Sequence, residues 1–333
     1  MPGTISHGSY TIPFDEEIFA GYLQNEPDLV TNALIQSGAL VQDGYISDLI
    51  ADGGNVYTIP FYGALPDDDD ENYDGQTDIT LDTMGASYQS GIVYGRAHGW
   101  FADDFVADFT VANPMAAIAA RVAKYWQTKR QARFIGIAEA VLGVSAMASH
   151  TVTKSAIGAA TLSDTCQEIW GEHKNKIAIA VMHSAVAQSF EDLERVDYLK
   201  YTDPNGVTRD LPIFTVNGIT TIIDDGVPMT AASGDNPATY STYLFAEGAF
   251  RYAQAPVAHH VGYGRDELKR GGMDYIVNRF RETIHPNGFT FTKTSNMISP
   301  TDAQLATTAR WSLAYSDAKA IPFGKLVTPG HSA

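Results

Sequence analysis

The chain has 333 residues, of which 44% are apolar and 18% charged, and it carries a net charge of −17. That length and apolar share suffice for one large core or two smaller ones. The single cysteine, Cys166, excludes an intrachain disulfide and an all-cysteine metal site, and no apolar run approaches the roughly 18 residues that a membrane span needs.

The N-terminal residues Met1-Pro2-Gly3-Thr4-Ile5 have neither the basic nor the apolar region of a signal peptide, so a soluble protein made in the cytoplasm is expected. Residues 1–45 read as an irregular arm with short helical pieces. Asp15–Leu23 is compatible with a helix that has acids in its first turn. Gly54–Ala64 alternates like an exposed strand, and Pro60 restricts it to a sheet edge. After an acidic tip at Asp67–Gly75, a second β-like run extends from Ile79 to about Phe105. Together these predict a long hairpin, which needs a partner surface to be stable.

The clearest element starts at Asn113-Pro114, where Asn suits an N-cap and Pro the first helical position. No proline interrupts Met115–Leu142, and Met115, Ile118, Val122, Phe134, Ile137 and Val141 keep helical spacing. After the small-residue stretch Gly143–Ala160, strand and helix alternate. Lys176–Met182 reads as a buried strand. Ser184–Asp197 reads as a helix with Val186, Phe190 and Leu193 inward. Ile213–Val216 and Ile219–Ile223 flank Asn217-Gly218, a strong hairpin-turn signal. Tyr240–Phe245, Tyr252 and Phe289–Thr292 supply further strand material; Asp302–Leu313 is expected as a helix and Ile321–Thr328 as the last strand. The expected class is α+β.

Charge is unevenly distributed. No Lys or Arg precedes Arg96, while sixteen of the 39 acids lie in residues 1–95, leaving 23 acids against the 22 bases in the rest. The densest basic cluster is Arg121, Lys124, Lys129, Arg130 and Arg133, in the middle of the long helix. An acidic first third argues against nucleic-acid binding by counterion release, which needs clustered bases.

No catalytic, cofactor or metal residues are assigned. Asp70-x-Asn72-x-Asp74-Gly75 matches the first half of a calcium loop, but Leu81 stands where a bidentate Glu is required, and the plainer reading is a solvated, self-repelling tip. The adjacent pair His259-His260 points in two directions in any regular element and suits packing better than a shared metal. His183-Ser184 follows a strand as a hydrolase nucleophile would, yet there is no G-x-S-x-G elbow and no evident acid partner. Gly262-Tyr263-Gly264 is too short for a dinucleotide loop. Cys166 has no basic neighbour in sequence to activate it and reads as a small buried hydrophobe.

The order acidic arm, long hairpin, long helix, mixed α/β region and final strand resembles the HK97-like fold of tailed-phage major capsid proteins. The wording of several stretches is similar too: Gly53-Gly54-Asn55-Val56 through Ile59-Pro60-Phe61, Lys176–Ser184, Thr215–Gly226 with Pro228, Tyr240–Ala249, Arg279–Phe289 and Ser299-Pro300-Thr301. The resemblance covers nearly the whole chain and transfers no catalytic residue, since that family carries none. It implies an N-terminal arm over 1–45, an extended loop over 46–110, a peripheral domain over 111–165 and 301–333 that includes the long spine helix, and an axial domain over 166–300.

The resemblance also implies function and partners. Copies would assemble as pentamers and hexamers into an icosahedral shell around double-stranded DNA, with a portal protein as a partner. Because the arm begins almost at Met1, a separate scaffolding protein is expected, or none; a decoration protein is a further candidate partner. DNA would be held by non-specific contact only. An encapsulin-like compartment around a cargo enzyme shares the fold and is the alternative; an unrelated α/β hydrolase is a remote one. Because the first third has no bases, its acids, including Asp67, Asp68, Asp69, Asp70 and Glu71, are expected to face Arg121, Lys124, Lys129, Arg130 and Arg133 of adjacent subunits.

Overall fold

A computed structural model describes residues 3–7, 10–14, 38–63, 65, 72, 76, 81–105, 114–193, 197–202, 208–233 and 237–330. The acidic tip Asp67–Gly75 except Asn72, the calcium-like loop except Asn72, Gln76 and Leu81, the helix-compatible stretch Asp15–Leu23 and the cap Asn113 lie outside the described residues.

The N-terminal arm departs from the irregular reading. Strands β1 (Gly3–His7) and β2 (Tyr10–Phe14) pair antiparallel, with Ile5 opposite Ile12. Each contains a Thr-Ile pair, and β-branched residues favour the pleated backbone. Next come β3 (Leu40–Gln42) and a helix not expected from the sequence, α1 (Gly44–Ala51). The Asp43 side chain caps α1 by accepting from the Tyr45 and Ile46 amides, while Ile46 and Ile50, four apart, bury one face.

The predicted hairpin is present as β4 (Val56–Tyr62) paired antiparallel with β5 (Ala86–Ile92), Pro60 opposite Tyr88. The second β-like run does not continue along it. After Val93 the chain forms β6 (Tyr94–Asp103), which pairs elsewhere. The long helix α2 spans Pro114–Leu142; its 29 residues run about 43 Å.

Beyond β7 (Thr151–Thr153), the amphipathic α3 (Thr161–Trp170) was not anticipated; Leu162, Cys166, Ile169 and Trp170 bury its stripe. Then come β8 (Ile177–Met182) and α4 (Ser184–Asp192). Val186 and Phe190 are buried as expected, but α4 ends five residues early, so Leu193 becomes its C-cap and is 40% exposed. Strands β9 (Asp197–Thr202), β10 (Thr208–Val216), β11 (Ile219–Ile223), β12 (Met229–Thr230) and β13 (Thr239–Ala246) follow. Asn217 and Gly218 take φ 53° and 81°, the two positive values a type I′ hairpin turn requires between β10 and β11.

The chain continues through β14 (Phe250–Ala255), β15 (Val261–Asp266), the 14-residue β16 (Met273–Pro286) and β17 (Phe289–Phe291). The helix expected over Asp302–Leu313 is only α5 (Asp302–Leu305), followed by β18 (Trp311–Leu313) and β19 (Phe323–Pro329). Thr301 and Gln304 do form a capping box. The helix then stops because the Trp311 indole N–H bonds the Leu305 carbonyl at 2.8 Å, and Trp311 instead pairs with Phe291 of β17.

The chain divides into two compact units. One comprises residues 1–31, 95–130 and 256–281, the other residues 32–94, 131–255 and 282–333. In the first, β6 and β15 pair with β16. The second is built on the sheet β7-β19-β13-β8-β11-β10-β9, parallel at β8–β11 and β7–β19. Its strands alternate. Ile179, Val181, Tyr243 and Phe245 enter a core with Phe134, Ile137 and Val141 of α2, whereas Ala180, Met182, Leu244 and Leu326 enter a core with α3 and α4. A sheet covered on both faces needs this near-continuous apolar wording, as in KIAIAVM.

Candidate functional site

The basic cluster on α2 is not a single stripe. At about 100° per residue, Arg121, Lys124 and Lys129 fall within an arc of about 140°, while Arg130 and Arg133 turn further round the helix. Arg121 and Lys129 are exposed, Lys124 and Arg130 half-buried, and Arg133 buried. Within the first unit, Lys129 sits 5.6 Å above the Tyr125 ring. Tyr125 in turn stacks with the exposed His98 (5.2 Å) and meets Trp100 edge-on, and Trp126 packs edge-on against Phe280 at 4.6 Å. The aromatic residues of α2, β6 and β16 therefore anchor this part of the helix and leave exposed bases beside them.

Arg133 departs from the other four. In the second unit its Nε donates to Asp302 at 2.7 Å and its guanidinium to Glu282 at 2.9 Å, and it lies 4.9 Å over the Tyr94 ring. The side chains of Arg133 and Glu282 are 2% and 0% exposed. Glu282 also accepts from the Tyr94 and Tyr252 hydroxyls. Burial pulls the Arg133 pKa down, but Tyr94, Asp302 and Glu282 outweigh it and hold the guanidinium charged. Arg133 is thus paired inside its own chain. The acids expected opposite the cluster, Asp67–Glu71, lie outside the described residues.

The other chemical candidates resolve into structural roles. The acid absent from the sequence reading of His183-Ser184 is Asp225. Its carboxylate accepts the Ser184 amide at 3.0 Å and lies 3.6 Å from His183 Nδ1; hydrogen bonding from the Ser184 hydroxyl first, and from that amide, lowers its pKa. Ser184 Oγ is 3.4 Å from that same nitrogen, which also accepts the Ala185 amide. Serine and acid therefore converge on one ring nitrogen, whereas a relay needs one on each. The group caps α4. His260 Nδ1 bonds the Arg279 carbonyl at 2.7 Å across the β15–β16 region. Cys166 is buried against α3's core, and burial pushes its thiol up to about 11.

Sequence reasoning missed the hairpin of β15 and β16. Alternation of buried Ile276 and Phe280, both even-numbered, was its available signal. At its end Arg265 binds Asp104, Asp274 (3.1 Å) and Glu267 (2.5 Å). The hydrogen bond from Arg265 holds Asp104 below the ordinary carboxylate range. Arg270, at φ 54°, lies 4.6 Å over Phe101 and 3.5 Å from the buried Asp103. Gly272, at φ 114°, fits against Asp104 where a Cβ has no room, and its carbonyl accepts the Asp104 amide at 3.0 Å.

A model of the Gp13-like family, described as major capsid protein 13-like, matches residues 107–322. The major capsid protein of Bacillus phage SPP1 is 26% identical over 311 residues, covering 91% of this chain and 93% of that protein. Among solved structures, the capsid of cyanophage Pam1 superposes with a TM-score of 0.59 at 11% identity over 93% of this chain and 95% of that one. The capsid of Ralstonia phage GP4 does so with 0.57 at 9% identity, over 94% and 96%. At such identities the structural likeness speaks for the fold.

Proposed function

Because the chain belongs to the Gp13-like family of major capsid proteins, we propose that its copies assemble as pentamers and hexamers into an icosahedral shell around double-stranded DNA. It is a phage major capsid protein of HK97-like fold, a structural component of the virion. The observation that carries the assembly reading is the β4–β5 pair. One side of it packs into the core through Tyr57 and Ile59, while Val56, Tyr62 and Tyr88 are exposed, apolar surface that a second copy would cover. For the segments we propose the parts that the resemblance implies: arm over 1–45, extended loop over 46–110, peripheral domain over 111–165 and 301–333, axial domain over 166–300.

The acidic balance supports double-stranded DNA packed from outside by force, since such a shell need not neutralise phosphate; DNA contact is non-specific. Besides further copies, the proposed partners are a portal protein, a separate scaffolding protein and, as an addition, a decoration protein. Acids of the first third, Asp67–Glu71 among them, are proposed to meet Arg121, Lys124, Lys129 and Arg130 of adjacent subunits. Arg133, spent inside its own chain, takes no part.

Electron microscopy of the chain, expressed alone and together with a scaffolding protein, tests the reading. Closed shells with five-fold and six-fold clusters are expected, and a compact monomer under all assembly conditions would overturn it. Shells packed with a host enzyme instead of nucleic acid, or empty, would point to a cargo compartment.

A further inference from the structure

The end of the β15–β16 hairpin combines two features that do not ordinarily go together. Leu268, at its apex, is 96% exposed, and Tyr263 on the same hairpin is 75% exposed. Yet the backbone that presents them is tied by several ion pairs and a side-chain cap. Arg265 gathers three carboxylates, Lys269 binds Asp266 at 3.3 Å, Arg270 lies on Phe101, and the Leu268 amide itself donates to Asp266 at 3.1 Å. A tip whose side chains are already paired has less freedom to lose on binding than an unpaired one. Each acid at the tip already holds a base, though three of them share Arg265, so the apolar apex can be covered without leaving a charge unpaired.

We propose that this tip is a self-contact, with Leu268 buried against a second copy of the chain in the assembled particle. The inference rests on the shell reading above. Chemistry favours this occupant over the others. Five acids (Asp103, Asp104, Asp266, Glu267 and Asp274) stand against three bases at the tip, a surplus that repels DNA and anionic membranes alike. A second copy supplies both complements: exposed aromatic surface at Tyr62 and Tyr88, and exposed bases at Arg121 and Lys129.

Thiol protection provides the test. Leu268→Cys places a thiol at the apex, and the native Cys166 is buried and weakly acidic, so wild-type protein gives the background. Labelling rates with a maleimide are compared in unassembled protein and in particles formed from the purified chain alone. Labelling at least tenfold slower in the particle is expected. Equal rates would overturn the proposal, as would protection found only in virions from infected cells, which would mean that another protein covers the tip. Folded L268C that fails to assemble where wild type succeeds would support it. Should L268C misfold, acetylation of Lys269 in wild-type protein gives the same comparison, protection in particles supporting the contact and equal modification refuting it. Wild type that forms no particles under any assembly condition would overturn the shell reading and this contact with it, whereas equal rates in closed particles would overturn this contact alone.

Discussion

Replacing Arg133 with Met tests whether the buried ion pair of α2 and β16 works as its geometry requires. The two carboxylates that Arg133 binds are not equivalent. Asp302 is 54% exposed, so its pair contributes only about 0–1 kcal/mol. Glu282 is fully buried, and stripping a buried carboxylate of its cation costs about 3–5 kcal/mol. The Met stem restores part of the packing over Tyr94, so R133M should lose about 3 kcal/mol, and Asp302→Asn less than about 1 kcal/mol.

Urea denaturation of the unassembled chain, followed by circular dichroism, measures both losses. Equal, sub-kilocalorie losses for R133M and D302N would refute the argument.

His285 is buried, and burial first, with Arg251 second, pushes its pKa down to about 3. It is neutral when folded and takes a proton only when unfolded, so stability should begin to fall below the unfolded pKa near 6.5 and keep falling towards pH 3. The loss is about 2 kcal/mol at pH 5, and His285→Gln should flatten that limb of a stability–pH profile. Gly218→Val places a β-branched residue at φ 81° and should cost about 1–3 kcal/mol, read as a lower urea midpoint and soluble yield. The double reversal Arg121→Glu with Lys129→Glu should leave the far-ultraviolet spectrum unchanged but slow assembly followed by light scattering, most strongly at low salt; salt-independent wild-type assembly would refute the charge contact.

Elements whose signal is local were legible in the sequence. Pro114 with an uninterrupted run to Leu142 specified α2, Asn217-Gly218 specified its turn, and the apolar run after Lys176 specified β8, because each rests on backbone chemistry within a few residues. Failures came where a distant partner decided. Asp302–Leu313 has helical composition, but Trp311 gains more by pairing with Phe291 and closing on the Leu305 carbonyl than by continuing a helix. The paired arm strands β1 and β2 were hidden by their shortness, and α3 by the small residues before it.

The basic cluster shows the same limit at the level of single side chains. Five bases within thirteen residues read as one cationic surface, yet their fates diverge with helical phase and with what the rest of the chain brings to each position. Lys129 emerges beside Tyr125, while Arg133, one turn on, meets Glu282, nearly 150 residues away in sequence, and leaves the surface. Nothing near Arg133 in sequence marks it as buried, because the carboxylate that makes burial tolerable belongs to a strand formed by unrelated local rules. A reversal there would test folding, and a reversal at Arg121 or Lys129 would test assembly. Only substitutions at the exposed positions therefore bear on how copies of this chain meet.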